Sequence, residues 1–198
     1  MVAHTRRSIY VIAVAVFLAA CAAEEASARI SREQALGQAM SDFQKRDYKN
    51  AVGWFSKTIW YCIEEKAKNG WPMEQKDYEM GAKAYLYRGM SYVELKQGDK
   101  AKLDFEQAER ISEGMPRVRV EIGNGYVRAG FYDDAVRILK GTVEGEPEDG
   151  QAHYYLSRAY YKKRNYASAW EHLKKARANG IPSESLLALL RKAAPELE

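Results

Sequence analysis

Apolar positions along most of the chain recur with the period of an α-helix, and small residues recur with a longer period. Ala101, Ala135 and Ala169 lie 34 residues apart, and Ala51 stands 50 residues before the first of them. Each of these alanines is followed four positions later by a large apolar residue, namely Phe55, Phe105, Leu139 or Leu173. Self-similarity at this length predicts a solenoid of stacked helical hairpins.

A second set of small residues lies twelve positions before each of these alanines, at Ala39, Gly89, Gly123 and Ser157. The axes of an antiparallel helix pair approach to about 8–10 Å where the crossing positions lack bulk, so each repeat is predicted to fold back on itself here. Gly125 is not explained by this pattern, although a glycine inside a helix costs about 1 kcal/mol relative to alanine. A closely approaching partner backbone and a tolerated imperfection are both open readings of it.

In the third repeat the pattern reads Gly123, Tyr126, Gly130, Ala135 and Leu139. This order resembles the tetratricopeptide repeat (TPR) family, and the resemblance covers roughly residues 32–182. The family's early tryptophan is absent, because its places hold Ala35, Tyr85, Arg119 and His153. The resemblance implies an all-α fold, a right-handed solenoid of about four TPR helix hairpins with a C-terminal capping helix. The repeats are expected at approximately 32–65, 82–115, 116–149 and 150–182.

Residues 66–81 form an insertion between the first two repeats, and the helical period continues through it. An apolar stripe extends the second helix to about Lys68, Asn69-Gly70 supplies a stop, and Pro72 suits the first turn of the next helix. The insertion therefore predicts a longer hairpin with Trp71 and Met73 at its tip. The tip is either packed on itself or a docking surface. Cys62 continues the stripe and is predicted to be a buried structural thiol.

Residues 183–198 are predicted to form the capping helix, from Ser185 to about Ala194. The terminal repeat of a solenoid must cover its last apolar face. Four leucines supply more apolar surface than one face requires, and they are Leu186, Leu187, Leu189 and Leu190. Capping, self-association and a second partner site are all compatible with this surplus.

The first residues predict export rather than a folded element. Two arginines precede an apolar run from Ile9 to Ala20, which at 1.5 Å per residue spans about 18 Å and is too short to cross a bilayer. We interpret residues 1–20 as a signal peptide. Leu18-Ala19-Ala20-Cys21 resembles the bacterial lipobox, which implies a lipid anchor on Cys21 and a linker over residues 21–31. Cleavage after Ala26-Ser27-Ala28 is the alternative.

Charge and chemistry narrow the class of function. Without Arg6 and Arg7 the formal balance falls from +4 to +2, and no nucleic-acid module is recognisable, so nucleic acid is not an expected partner. We found no metal-ligand spacing, phosphate loop or nucleophile motif, so the chain is expected to be no enzyme and to need no cofactor or metal. His153 occupies a core position of the repeat and is expected to be packed.

In the TPR family, partners commonly lie in the concave groove that is formed by the first helix of each repeat. The resemblance divides this groove into two parts. An apolar strip suits an amphipathic or extended apolar peptide, and its members are Leu36, Met40, Phe43, Leu86 and Met90. A basic, tyrosine-rich part suits an acidic peptide, and its members are Arg117, Asn124, Arg128, Tyr154, Arg158, Tyr161 and Lys162.

Together these features predict a membrane-anchored adaptor or scaffold of the bacterial cell envelope that binds partner proteins or peptides in its groove. The alternative is a non-catalytic regulator of an envelope, or cell-wall, enzyme. Ala22 after the cysteine resembles the outer-membrane default, so the protein is expected at the outer membrane, facing the periplasm, if the host is Gram-negative.

Overall fold

The computed structural model describes residues 30–197, and every regular element within this range is helical. In chain order the elements are α1 (Arg32–Gln44), α2 (Tyr48–Ile59), a π-helix (Trp60–Glu64), α3 (Glu65–Asn69), α4 (Gln75–Glu94), α5 (Gly98–Ile111), α6 (Pro116–Ala129), α7 (Tyr132–Gly145), α8 (Gly150–Lys162), α9 (Tyr166–Ala178), α10 (Glu184–Ala193) and a 3-10 turn (Pro195–Leu197). Consecutive helices pack as antiparallel hairpins that stack on one another, which confirms the all-α solenoid.

The small residues of the repeat pattern lie where the two helices of a hairpin cross. A Cβ atom added to Gly123 would stand 2.5 Å from Cγ of Leu139, and one added to Gly89 would stand 2.7 Å from Cε1 of Phe105. In the fourth hairpin the small residue is Ser157, whose hydroxyl donates to the carbonyl of Ala169 at 2.7 Å. The helix pairs are close because these positions carry almost no side chain.

Gly125 is explained by contacts within the chain, and no partner backbone is needed. A Cβ atom at this position would lie 3.1 Å from Cε1 of Phe105 and 3.2 Å from Cδ1 of Leu86. These neighbours belong to the second hairpin, so Gly125 serves the packing of one repeat on the next.

The turns between the two helices of each hairpin repeat the spacing of the alanines. The residue with positive φ is Arg46 in the first turn, Lys96 in the second, Gly130 in the third and Arg164 in the fourth. The steps between them are again 50, 34 and 34 residues. Only the third turn places a glycine in the left-handed conformation, which glycine adopts at the lowest cost.

The second helix of the first hairpin and the first helix of the second are long, and their ends differ from the sequence-based expectation. α2, the π-helix and α3 follow without a break and end at Gly70, which has φ 66°. α4 begins at Gln75 and not at Pro72, because Glu74 and Asp77 form the capping box at its N-terminus. Cys62 lies in the π-helix and is fully buried, as predicted.

A buried carboxylate ties the extended part of the hairpin to the start of the solenoid. Asp77 has no exposed surface, and it accepts hydrogen bonds from Lys66 Nζ at 2.6 Å, from the backbone N–H of Glu74 at 2.8 Å and from the guanidinium of Arg32. Lys76 pairs with Glu33 at 2.8 Å. The first turn of α1, the end of α3 and the start of α4 are therefore held together at one corner.

The last helix covers the end of the array. Leu186, Leu187 and Leu190 of α10 are buried in a cluster with Trp170 and Leu173 of α9. The indole N–H of Trp170 donates to the carbonyl of Ala194 at 3.0 Å. Capping therefore accounts for three of the four leucines, whereas Leu189 is 46% exposed.

The proposed signal peptide, Cys21 and most of the linker lie outside the described residues. Among residues 30–197, no helix is both long and apolar enough to cross a membrane.

Candidate binding groove

The first helices of the four repeats, α1, α4, α6 and α8, lie side by side and form the groove. Two hydrogen bonds join neighbouring helices of this set at positions 34 residues apart: Tyr87 donates to Glu121 at 3.3 Å, and Arg128 donates to Glu94 at 2.6 Å. Equivalent positions of adjacent repeats therefore lie next to each other on neighbouring groove helices. Residues 34 positions apart in the sequence are thus aligned along the groove.

The expectation of an open apolar strip in the first half of the groove is wrong for two of its members. Leu86 is fully buried and Met90 is 7% exposed, because both pack into the core between neighbouring hairpins. Leu36, Met40 and Phe43 are partly buried against the same core. The Phe43 ring lies edge-on to Tyr87 with a centroid distance of 5.3 Å. Most of this apolar surface is therefore used in folding.

The middle of the groove is polar. Arg117 is exposed, and Arg128 makes its ion pair with Glu94 at the surface, where both side chains are about one third exposed (38% and 34%). Such an exposed pair contributes little to stability, with typical values of about 0–1 kcal/mol. Arg128 therefore already has a carboxylate partner from the second repeat.

The last part of the groove forms a pocket of about 380 Å³ that α8 and α10 build together. Four of the predicted residues line it, and they are Tyr154, Arg158, Tyr161 and Lys162. Ser185, Leu186 and Leu189 of α10 complete the wall. α10 follows the fourth hairpin in the chain, and its Leu186 and Leu189 form one wall of the last part of the groove. The surplus leucine in the sequence was the only signal of this arrangement.

The cations of this pocket carry no carboxylate partner among residues 30–197, unlike Arg128. Arg158 Nη1 donates to the amide oxygen of Asn124 at 3.3 Å, and its guanidinium carbon lies 5.9 Å from the ring centroids of both Tyr154 and Tyr155. A guanidinium has five N–H donors in a planar fork. Arg158 is thus held in place by an amide and two rings while donors stay available for an anion.

A tetratricopeptide repeat family model matches residues 120–184, which contain the third and fourth hairpins. The chain has the TPR fold. Three solved structures of MamA share it at low sequence identity. MamA from Desulfovibrio magneticus RS-1, from residue 41 to its end, is 14% identical with a TM-score of 0.59, and the match covers 85% of this chain and 89% of that one.

A double mutant of the RS-1 protein is 15% identical with a TM-score of 0.59, covering 85% of this chain and 86% of that chain. MamA from strain AMB-1 is 17% identical with a TM-score of 0.51, covering 77% and 80%. At these identities the likeness concerns the TPR fold alone. No curated protein matches the sequence.

The two residues predicted at the tip of the longer hairpin, Trp71 and Met73, do not line the pocket. Trp71 is 53% exposed, and Met73 is partly buried. Both stand in the loop between α3 and α4, at the corner that Asp77 ties to α1. The tip and the pocket are therefore separate surfaces at opposite ends of the array.

The structure brings His153 and His172 together, which the sequence did not suggest. Their Nδ1 atoms lie 2.9 Å apart, and His153 Nε2 lies 2.9 Å from the carbonyl oxygen of Pro147. Because a carbonyl oxygen only accepts, Nε2 of neutral His153 carries the proton, and His172 must then donate from its own Nδ1. His153 is packed, as predicted, with 3% exposure.

The histidine pair does not extend to a metal site. Within the part of the chain that the structure describes, no group of three or more His, Cys, Asp or Glu side chains is arranged to hold a metal ion.

Proposed function

We propose that this TPR protein is a membrane-anchored adaptor of the bacterial cell envelope that binds an acidic segment of a partner protein in the pocket between α8 and α10. The observation that carries the proposal is the pair of cations without carboxylate partners, Arg158 and Lys162, set among tyrosines beside the exposed Leu189.

The chemistry of the pocket favours an acidic peptide that also has an apolar side chain. Arginine binds carboxylates through two parallel N–H···O bonds, and such charge-assisted bonds are roughly twice as strong as neutral ones. Tyr154 and Tyr161 offer a large contact area at low entropic cost, as tyrosine does at many interfaces. Leu189, at 46% exposure, supplies the apolar contact.

The other parts of the groove are less suited to an acidic segment than the pocket between α8 and α10. Arg128 is engaged by Glu94, and Leu86 and Met90 are buried. Arg117 is exposed, but the pocket it lines also contains Glu79, Glu121 and Glu146, whose carboxylates disfavour an acidic segment. The pocket between α8 and α10 is also the place where the fold changes from the last repeat to the capping helix.

Site-specific photocrosslinking in cells tests the binding surface. A benzophenone amino acid is placed at Lys162 in the pocket or at Leu103, which is 59% exposed on α5, outside the groove. We expect a discrete adduct from position 162 that Arg158→Glu abolishes and Arg158→Lys partly retains. Adducts that are equal at the two positions, or that survive Arg158→Glu, contradict the proposal.

The membrane anchor is tested separately by fractionation. Replacing the proposed acylation site, Cys21→Ser, should move the protein from the membrane fraction to the soluble periplasmic fraction, because two or three acyl chains are needed for a lasting anchor. A Cys21→Ser protein that still sediments with membranes would show that the lipobox interpretation is wrong.

A further inference from the structure

The loop between α3 and α4 lies at the end of the solenoid where the described chain begins, beside the first turn of α1. Arg32 and Lys66 both bind the buried Asp77, and Lys76 pairs with Glu33. These contacts place the first turn of α1 against the end of α3 and the start of α4, next to the loop that joins them. Lys66 Nζ also donates to the carbonyl of Pro72 in this loop at 3.4 Å.

The length of chain between the corner and Cys21 keeps this end close to the lipid. Nine residue steps separate Cys21 from Ile30. A fully extended chain covers at most about 3.3–3.6 Å per residue, so Ile30 lies within about 30 Å of an acylated Cys21. A compact linker would bring it closer.

The tip carries the side chains that favour the interface of a bilayer. Trp71 exposes 53% of its surface at the end of the hairpin, next to Pro72. Tryptophan is enriched at membrane–water interfaces, because its ring is apolar while its N–H can reach polar headgroups. Among residues 30–197, Trp71 is more exposed than the other exposed tryptophan, Trp60, at 36%.

Charge at the tip is compatible with an anionic lipid surface. Residues 66–76 contain three lysines and one glutamate. Lys66 and Lys76 are engaged by Asp77 and Glu33, and Lys68 is exposed at the end of α3. A lysine near an anionic bilayer contributes about 1 kcal/mol of attraction. The lysine therefore assists Trp71 but does not replace it.

We infer that the tip of the hairpin, formed by Trp71 and Lys68, rests in the headgroup region of the membrane to which Cys21 is attached. This inference rests on the lipid anchor of the proposed function. The contact would give the solenoid two points of attachment and so limit its orientation. The pocket between α8 and α10, at the other end of the array, would then face away from the bilayer.

The test uses the acylated full-length protein on vesicles of phosphatidylethanolamine and phosphatidylglycerol, with and without lipids that are brominated near the headgroup. Flotation reports the anchor, and quenching of tryptophan fluorescence by bromine reports contact at the tip. We expect the protein to float and its fluorescence to be quenched. Trp71→Ala should still float but lose most of the quenching, and Leu103→Ala should behave like the unchanged protein.

Lys68→Glu should reduce the quenching on anionic vesicles and leave it unchanged on vesicles without phosphatidylglycerol. A floating protein whose quenching is absent, or is the same in Trp71→Ala, overturns the inference while leaving the anchor intact. A protein that does not float shows that the anchor is wrong. Contact between the tip and the membrane is then tested by titrating the same protein with vesicles. Quenching that depends on Trp71 supports this contact, and the absence of such quenching overturns the inference.

Discussion

The guanidinium of Arg158 donates a hydrogen bond to the side-chain amide oxygen of Asn124, which lies one repeat earlier on the neighbouring groove helix. The amide orients Arg158 without neutralising it, so the charge stays available at the pocket. Because Asn124 and Arg158 are one repeat period apart, the packing of successive repeats sets the position of the charge in the proposed binding site.

Replacing this amide with a carboxylate should lower the affinity of the pocket for an acidic peptide. Asn124→Asp places an internal anion on Arg158, and an ion pair of about 0.4–1 kcal/mol would compete with an acidic ligand and weaken its binding about two- to fivefold. The measurement is fluorescence anisotropy with a labelled acidic peptide selected on the unchanged protein. Asn124→Ala is the matched control and should bind within twofold. Equal affinities for all three proteins would contradict the role of Arg158.

The crossing glycine should not tolerate a methyl group. Gly123→Ala puts its Cβ within 2.5 Å of Leu139, and overpacking of this kind costs roughly 1–3 kcal/mol. Gly141→Ala in the same repeat meets nothing within 4 Å on an exposed helix face and should stabilise the protein by roughly 0.5–1 kcal/mol. Urea unfolding followed by circular dichroism measures both. Equal midpoints for the two variants would show that the crossing is not tight.

A buried ion pair joins the two helices of the second hairpin, and breaking it from one side should be costly. Arg88 donates to both carboxylate oxygens of Asp104, at 2.8 and 2.7 Å, and to the Ser56 hydroxyl at 2.9 Å. Arg88→Ala leaves the Asp104 carboxylate, which is 5% exposed, without its partner and should lower the free energy of unfolding by about 3–5 kcal/mol.

Removing both charges should cost much less than removing one. The double variant Arg88→Met with Asp104→Leu is expected to recover most of the loss, because no unpaired charge remains in the core. Guanidinium unfolding of the single and double variants measures the difference. A double variant as unstable as Arg88→Ala would mean that packing, and not the stranded charge, sets the cost.

Acid should destabilise the fourth hairpin through its histidine pair. Burial of the ring, with a further contribution from the neighbouring His153, lowers the pKa of His172 from 6.5 to about 4. Between these two pKa values His172 is protonated in the unfolded chain and neutral in the folded one. The free energy of unfolding therefore falls as the pH drops from about 6.5 to 4. Because His172 is only partly buried, we expect a loss of about 1 kcal/mol.

Thermal melts at a series of pH values in this range measure the effect. His172→Gln should melt with a flatter dependence on pH, because glutamine does not titrate. An unchanged pH profile in His172→Gln would assign the acid sensitivity to other groups.

The thiol of Cys62 should be unreactive in the folded protein. Burial raises its pKa to about 11, and only the thiolate attacks disulfide reagents. In the Cys21→Ser protein at pH 8, a disulfide reagent should modify Cys62 slowly in buffer and completely in urea, as read by thionitrobenzoate release. Rapid reaction in buffer would indicate local opening of the π-helix.

Much of the fold was accessible from spacing, because a helix hairpin that stacks at a constant angle needs small residues at constant intervals. Gly89, Gly123 and Ser157 lie at the crossings for that reason. The start of α4 was misplaced at Pro72, since a side-chain cap by Glu74 and Asp77 depends on local geometry that a proline signal does not contain. The π-helix around Cys62 leaves the apolar stripe almost unchanged and so had no signature of its own.

The site was accessible only in part. The repeat spacing predicts that the cations and tyrosines of α8 share the groove surface, and the structure places them around one pocket; that this pocket binds a partner stays a prediction. The spacing wrongly predicts that Leu86 and Met90 are open groove positions, since the depth of a groove position depends on how closely the next hairpin packs. Gly125 is required by this close packing, because a side chain there would meet Phe105 and Leu86. The spacing of the repeats does not predict these contacts.

The repeat period, the two small positions per hairpin and the extra length between the first two repeats follow from the amino-acid order, because helix geometry converts spacing directly into faces and crossings. The closure of the groove by α10, the burial of its first half and the approach of His153 to His172 follow from the angles between helices that are distant in sequence. Those angles result from the sum of many side-chain contacts, and no single spacing encodes them.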